Sequence, residues 1–258
     1  MQEQLKIAII QSDLAWENPK KNRKGFTAKI EGIQEVDIIV LPEMFNTGFT
    51  MNAKTVAETM DGKTVAWMQK KALKTGAAII GSLIILDNNH YFNRLLFVEP
   101  SGNITTYDKR HTFTLAGEDK VFTAGTEKVI IDYKGWKICP MVCYDLRFPV
   151  WARNVENYDV LIYVANWPKS RVQAWDTLLK ARAIENISYV VGVNRVGIDE
   201  AENEYSGKSA VYDVLGNAIT CTKPHKEQIE IAVLDKHHIH YYRNKLKFLD
   251  DKDAFILK

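Results

Sequence analysis

With 258 residues, 46% of them hydrophobic and 26% charged, the chain can bury a large core beneath a polar surface, and a globular protein of one domain over residues 1–258 is expected. Its 34 basic and 32 acidic side chains leave a formal charge of +2, which excludes a whole-molecule field that would steer it to nucleic acid or anionic lipid; a small-molecule substrate fits better. No apolar run approaches the roughly 20 residues that cross a bilayer, and Met1-Gln2-Glu3-Gln4 lacks the basic and apolar regions of a signal peptide, so a cytoplasmic location is expected.

The pattern opens with an apolar strand at 5–10, a stretch of helical character at 19–34 and a strand at 37–41, a βαβ start. A helix over about 62–74 precedes strands at 77–86, 91–98 and 104–107, with Asp87-Asn88-Asn89 and Ser101-Gly102-Asn103 as the hairpin turns between them. Strands at 128–131 and 136–142 lead to a helix over 149–157, a strand at 160–164, a longer helix over 170–186 and a strand at 189–193. The paired strands 209–212 and 218–222 turn at Leu215-Gly216-Asn217, and a strand at 228–234 follows. Helices fall into an early and a late group with apolar strands between them, which predicts an α/β protein, a four-layer α-β-β-α sandwich with helices outside two facing sheets. The Lys-rich stretch 235–258 reads as a solvated tail whose His237, His238 and His240 face water or a partner subunit and not a metal.

Three places carry chemistry. The strand Asp37-Ile38-Ile39-Val40-Leu41 delivers Glu43 to a sheet edge, where desolvation would favour general-base behaviour, although a lone Glu in such a place is usually a solvated loop acid. The segment from Trp136 to Pro149 reads as a strand, a sharp turn and a helix, resembling a nucleophile elbow with Cys143 at its apex; Cys139 lies within the strand as a core residue. Lys109, in Tyr107-Asp108-Lys109-Arg110-His111, follows a strand and supplies an ammonium. A thiol, a carboxylate base and an ammonium are together the groups that amide hydrolysis needs without a metal or histidine, while a Cys143–His111 dyad is the rival arrangement. Cys139, Cys143 and Cys221 show no CxxC or paired Cys/His spacing, so reduced thiols and no zinc site are expected.

In the order Glu43, Lys109, Cys143, the segments Leu41-Pro42-Glu43-Met44-Phe45, Tyr107-Asp108-Lys109-Arg110-His111 and Val142-Cys143-Tyr144-Asp145-Leu146-Arg147-Phe148-Pro149 resemble the three motifs of the nitrilase, or carbon–nitrogen hydrolase, superfamily. The resemblance extends over roughly residues 5 to 235, through Arg182-Ala183-Ile184-Glu185-Asn186 and Gly207-Lys208-Ser209-Ala210. It implies the same four-layer fold, no cofactor and no metal, Glu43 as general base, Lys109 as stabiliser of the tetrahedral intermediate and Cys143 as the nucleophile that forms a thioester. A second carboxylate is similar to Glu118 in Ala116-Gly117-Glu118-Asp119-Lys120, with Asp119 as the other candidate, and the resemblance also implies a homodimer to which the tail contributes.

The peripheral segments Asn46-Thr47-Gly48-Phe49, Ala116-Gly117-Glu118 and Ala165-Asn166-Trp167-Pro168 resemble most the omega-amidase branch, whose implied substrates are 2-oxoglutaramate and 2-oxosuccinamate. Another aliphatic amidase, a carbamoyl hydrolase or a nitrilase of the same superfamily is the alternative. Arg147 and Arg171 are candidate partners for a substrate carboxylate, the Tyr144 backbone N–H a candidate oxyanion donor, and Phe45, Phe49, Tyr144 and Trp167 candidate pocket walls; each is as readily a structural residue. A metal-dependent hydrolase and a noncatalytic binding module are the competing classes.

Overall fold

The computed structural model describes residues 2–255. In the first half, β1 (Gln4–Gln11) leads to α1 (Pro19–Glu31), which starts where the Asn18 side chain accepts the Lys21 N–H at 3.0 Å and Pro19 presets the first turn. Then come β2 (Ile38–Val40), the short α2 (Ala53–Val56), α3 (Lys63–Thr75), β3 (Ala78–Asp87), β4 (His90–Val98) and β5 (Ile104–Asp108). The second half holds β6 (Ile131–Tyr133), β7 (Trp136–Val142), α4 (Pro149–Ala152), β8 (Val160–Ala165), α5 (Val172–Asn186) and β9 (Tyr189–Asn194). The small hairpin β10 (Val196–Ile198) and β11 (Glu204–Ser206) follows, then β12 (Ala210–Tyr212), β13 (Ala218–Cys221), β14 (Gln228–Asp235) and α6 (Lys236–Leu246).

Two six-stranded sheets result, ordered β14-β1-β2-β3-β4-β5 and β13-β12-β9-β8-β7-β6. The period of two along β1 divides its side chains between two interfaces. Leu5, Ile7 and Ile9 join Ile38, Val40, Leu95 and Phe97 against Trp136, Ile138 and Met141 of the other sheet. Ala8 and Ile10 face outward with Ile39 and Leu41, against Phe26 and Ile30 of α1 and Val65 and Met68 of α3. On the far side Trp175, Leu179 and Ala183 of α5 cover the second sheet. The expected sandwich of two sheets flanked by helices is therefore the fold. Its parallel neighbours, β1-β2-β3 and β7-β8-β9, bring the carboxyl ends of β2, β7 and β8 into one region, where an α/β protein places its site. No helix among the described residues is long and apolar enough to cross a membrane.

Four local expectations are corrected. The helix over 149–157 ends at Ala152, because the Asn154 carboxamide closes a loop on Tyr158, accepting its N–H at 2.8 Å and donating to its carbonyl at 2.9 Å. The strand placed at 128–131 begins only at Ile131, since Lys128 is drawn aside to the Arg153 carbonyl and Glu156. The charged segment 196–206, left without structure in the sequence pattern, forms the β10–β11 hairpin. The tail from 235 is not simply solvated: Asp235 caps α6 by accepting the His237 N–H at 2.9 Å, and Ile239, Tyr242 and Leu246 pack on the core at helical spacing; residues 256–258 lie outside the described residues.

Helix α6 is held by one buried acid. Asp159 accepts the Lys236 ammonium at 2.6 Å and Arg243 at 3.3 Å, as well as the Lys137 N–H at 3.0 Å. Asp159→Asn keeps the shape and removes the counter-charge from two partly buried cations. A loss on the order of 3 kcal/mol is expected in urea denaturation, and an unchanged midpoint would show that the charge contributes nothing to docking the helix.

Candidate active site

The turn after β7 is as sharp as the elbow expectation requires. Cys143 has φ +45°, a left-handed conformation that a non-glycine residue adopts only when its surroundings impose it. The imposing group is Asp145. Its fully buried carboxylate accepts the Val142 N–H at 3.0 Å, the Tyr107 hydroxyl at 2.8 Å, and the His111 N–H and ring Nδ1 at 3.0 and 2.8 Å. The segment at the turn is a 3₁₀ helix (Cys143–Arg147), and α4 follows it. One side chain thus ties the elbow to the segment that carries Lys109. The rival Cys143–His111 dyad is not formed: among the described residues no hydrogen bond joins the His111 ring to Cys143, whose charged neighbours are Glu43, Lys109 and Glu118, and the imidazole is stacked on Phe148 with ring centroids 3.6 Å apart.

Glu43, Lys109 and Glu118 meet as a buried trio. The Lys109 ammonium donates to Glu43 Oε1 at 3.0 Å and to Glu118 at 3.0 and 2.8 Å, and none of the three is more than 1% exposed. Asp119, the other candidate acid, is exposed. Lys109 is placed by close backbone approach: its carbonyl accepts the Gly125 N–H at 2.9 Å, and a Cβ on Gly125 would stand 2.1 Å from the Asp108 carbonyl. Glu118 is placed by the turn after Phe113, whose N–H it accepts at 2.5 Å.

Two asparagines to which the sequence assigns no site role, Asn166 being quoted only within a segment of the branch resemblance, complete the trio. Asn93 Nδ2 donates to Glu43 Oε1 at 2.8 Å and to Glu118 Oε1 at 3.2 Å, and the Asn166 N–H donates to Glu43 Oε2 at 2.8 Å. A signal for Asn93 exists, since it is a polar residue inside the apolar strand Tyr91–Val98, but its partners are 50 and 25 residues away.

Two carboxyl groups share one ammonium in a dry place. Burial opposes the charge of Lys109, yet Glu118 and Glu43 hold its ammonium well above the usual lysine range. Burial raises Glu118, with the charge of Glu43 adding to it against Lys109. Burial and then Glu43 push the Cys143 thiol well up. Cys143 itself is half-buried and opens on a cleft of about 380 Å³.

Phe49, Tyr144, Arg147, Trp167 and Arg171 all line this cleft. Phe45 does not, which corrects its assignment as a pocket wall. The turn at Met44, φ +42°, sends the Phe45 ring into the outer core against Phe26 and Trp67, with ring centroids 5.4 and 5.7 Å away, and Gly81 leaves it room. Arg147 lies over the Trp167 ring at 4.9 Å and Arg171 over Phe113 at 5.1 Å; among the described residues no carboxylate is within ion-pair distance of either. Ala201, Asn203 and Tyr205 of the unexpected hairpin close the remaining side. Among the described residues no three His, Cys, Asp or Glu side chains come together as a metal site, those of α6 included.

The carbon–nitrogen hydrolase family model matches residues 6–244. The chain belongs to that family. It is 44% identical over 253 residues to the omega-amidase YafV of Escherichia coli, with 98% of each chain covered. It is 32% identical over 257 residues to a 2-oxoglutaramate amidase of Bacillus subtilis, covering 96% of this chain and 98% of the relative. A crystal structure of a CN-hydrolase superfamily protein from Xanthomonas campestris, which carries an arsenic adduct in its active site, superposes with a TM-score of 0.97 at 41% identity over 100% of both chains. As a carbon–nitrogen hydrolase of the YafV-type branch, the chain is a hydrolase acting on carbon–nitrogen bonds.

The direction of the Cys143 shift has a measurable consequence. A thiol held above its ordinary range is neutral near pH 7, so alkylation of Cys143 by iodoacetamide, followed by peptide mass, is expected to keep rising beyond about pH 9. A plateau below about pH 8 would reveal a standing thiolate and contradict the burial argument.

Proposed function

We propose that the chain is an omega-amidase that hydrolyses the terminal carboxamide of 2-oxoglutaramate or 2-oxosuccinamate through a thioester on Cys143. The observation that carries this reading is a half-buried thiol beside the Glu43–Lys109–Glu118 trio, in a cleft also lined by Arg147 and Arg171, neither of which has a carboxylate partner among the described residues. Similarity to enzymes named omega-amidase and 2-oxoglutaramate amidase supports the substrate class.

The steps follow from the groups present. Sγ of Cys143 attacks the amide carbon as Glu43 takes the thiol proton, so the raised thiol is deprotonated only while it bonds. The oxyanion rests on the Lys109 ammonium and on the Tyr144 N–H, which at the start of the 3₁₀ turn has no acceptor within that turn. Collapse of the intermediate breaks the carbon–nitrogen bond, and Glu43 returns its proton to the departing ammonia. Glu43 then takes one proton from water as the water oxygen attacks the thioester, that proton goes back to Sγ as the carbon–sulfur bond breaks, and the carboxylic acid so formed loses the second water proton to the released ammonia or to solvent, giving the dicarboxylate. Arg147 or Arg171 holds the distant carboxylate, and Phe49, Tyr144 and Trp167 enclose the short methylene chain.

Ammonia release from 2-oxoglutaramate is the direct assay. Activity is expected to survive chelators and to fall by on the order of 10⁴ or more in Cys143→Ala. Arg147→Met or Arg171→Met is expected to raise KM for the keto-acid amide by about tenfold to a hundredfold while sparing uncharged amides. Preference for simple nitriles or unsubstituted amides across a substrate panel would reject the keto-acid reading.

A further inference from the structure

Asn93 occupies the middle of β4, one residue from Arg94, whose guanidinium points to the opposite face and pairs with Asp108 at 2.7 and 2.9 Å and with Asp87 at 3.0 Å. The inward face at Asn93 meets a different environment: Glu43 after β2 and Glu118 in the loop beyond β5, both bonded to Lys109 after β5, with Cys143 after β7 facing the same three charged groups. Of these groups two are acids, one is an ammonium and one is a thiol. A carboxamide has one donating end and one accepting end, and two acids on one side leave only one orientation. Nδ2 therefore faces Glu43 Oε1 and Glu118 Oε1, and Oδ1 is left buried with no donor. An unpaired buried carbonyl is costly, so a residue kept solely to fill the core at this place would be better apolar.

We propose that Asn93 is a positioning residue for the hydrolysis: with Lys109 it closes a ring of two donors and two carboxyl groups that fixes the separation of Glu43 and Glu118. The proposal rests on the amidase reading of the same site. The donor's neutrality matters. A second ammonium would cancel the net negative charge and remove the drive for Glu43 to take a proton, whereas a third carboxylate would force the acids to share one. An amide supplies hydrogen bonds to both and alters the charge of neither.

Asn93→Ala removes the donor and Asn93→Asp keeps the shape while adding an acid. Hydrogen bonding to an ionised carboxylate favours ionisation, so its loss moves the acidic limb of the kcat/KM profile to higher pH. The profile is measured from about pH 5 to about pH 9 on 2-oxoglutaramate and, in parallel, on a p-nitrophenyl ester that needs the same trio and thiol but no keto-acid recognition. In Asn93→Ala the limb is expected to rise by about half a pH unit or more, with kcat down roughly tenfold to a hundredfold and KM changed less than about twofold. In Asn93→Asp it is expected to rise further. If Asn93→Ala does not fold, Asn93→Asp decides alone. An acidic limb unmoved in the folded variants, whatever their melting temperature or residual rate, overturns the proposal. Silence on 2-oxoglutaramate with a shifted limb on the ester rejects the substrate reading and leaves the role of Asn93 standing.

Discussion

The structure depends on one arrangement of charge, the Lys109 ammonium enclosed by Glu43 and Glu118 with hardly any access to water. An ionised group in such a place is tolerable only when its partners are at hydrogen-bond distance and cannot move away. The three side chains come from the end of β2, the end of β5 and the loop after it, so their meeting requires the first sheet to be complete and in register. The pairing of β4 with β5, Arg94 against Asp108, sets Lys109 beside Asn93, whose carbonyl accepts the Lys109 N–H at 3.0 Å. A slip of one residue there would turn Lys109 to the other face of the sheet and leave both carboxylates buried without a counter-charge.

Asp145 extends that order to the second sheet. Four donors converge on it from the elbow and from the Tyr107–His111 segment, so the position of Cys143 is referred to the element that carries Lys109. Trp151 of α4 adds its indole N–H to the Tyr107 hydroxyl at 3.0 Å, which brings the helix after the elbow into the same network. The strained backbone at Cys143 is thus over-determined from three elements. A catalytic thiol on an unsupported turn would relax out of the left-handed region, and its distance to Glu43 would become a variable.

Much of this was legible in the sequence because the carriers are local. Apolar strands that end near Glu43 or Cys143 announce both the element and the place where it delivers a side chain, and the resemblance to the carbon–nitrogen hydrolase motifs implies the roles of Lys109 and Glu118. The unread features depend on contacts between distant positions. Asn93 and Asn166 look like ordinary polar residues until Glu43 stands between them. Asp145 carries no signal of its own in the elbow segment, yet it is fully buried. Phe45 has the composition of a pocket wall, and only the turn at Met44 sends it to the outer core. The β10–β11 hairpin joins neither large sheet, and its charged sequence carries no apolar alternation to betray it. The shape of the cleft was therefore less readable than its chemistry, since walls are assembled from loops and chemistry from strand ends.

The trio also accounts for a second acid where one base suffices. In the proposed mechanism the resting site holds two carboxylates and one ammonium, a net charge of one negative. When Cys143 attacks, Glu43 becomes neutral and one negative charge appears on the substrate oxygen, so the net charge is unchanged and only its position moves, from one neighbour of Lys109 to another. Glu118 holds the ammonium at 2.8 Å while Glu43 gives up its charge. Without Glu118, protonation of Glu43 would leave Lys109 balanced by the oxyanion alone, and the ammonium would have to follow the charge. With it, Lys109 stays in place and charge is relocated among fixed donors, which is how a dry site stabilises a transition state with little reorganisation. The same accounting explains why the thiol is kept neutral at rest: a standing thiolate would add a second net negative charge to the buried site, and burial already opposes it.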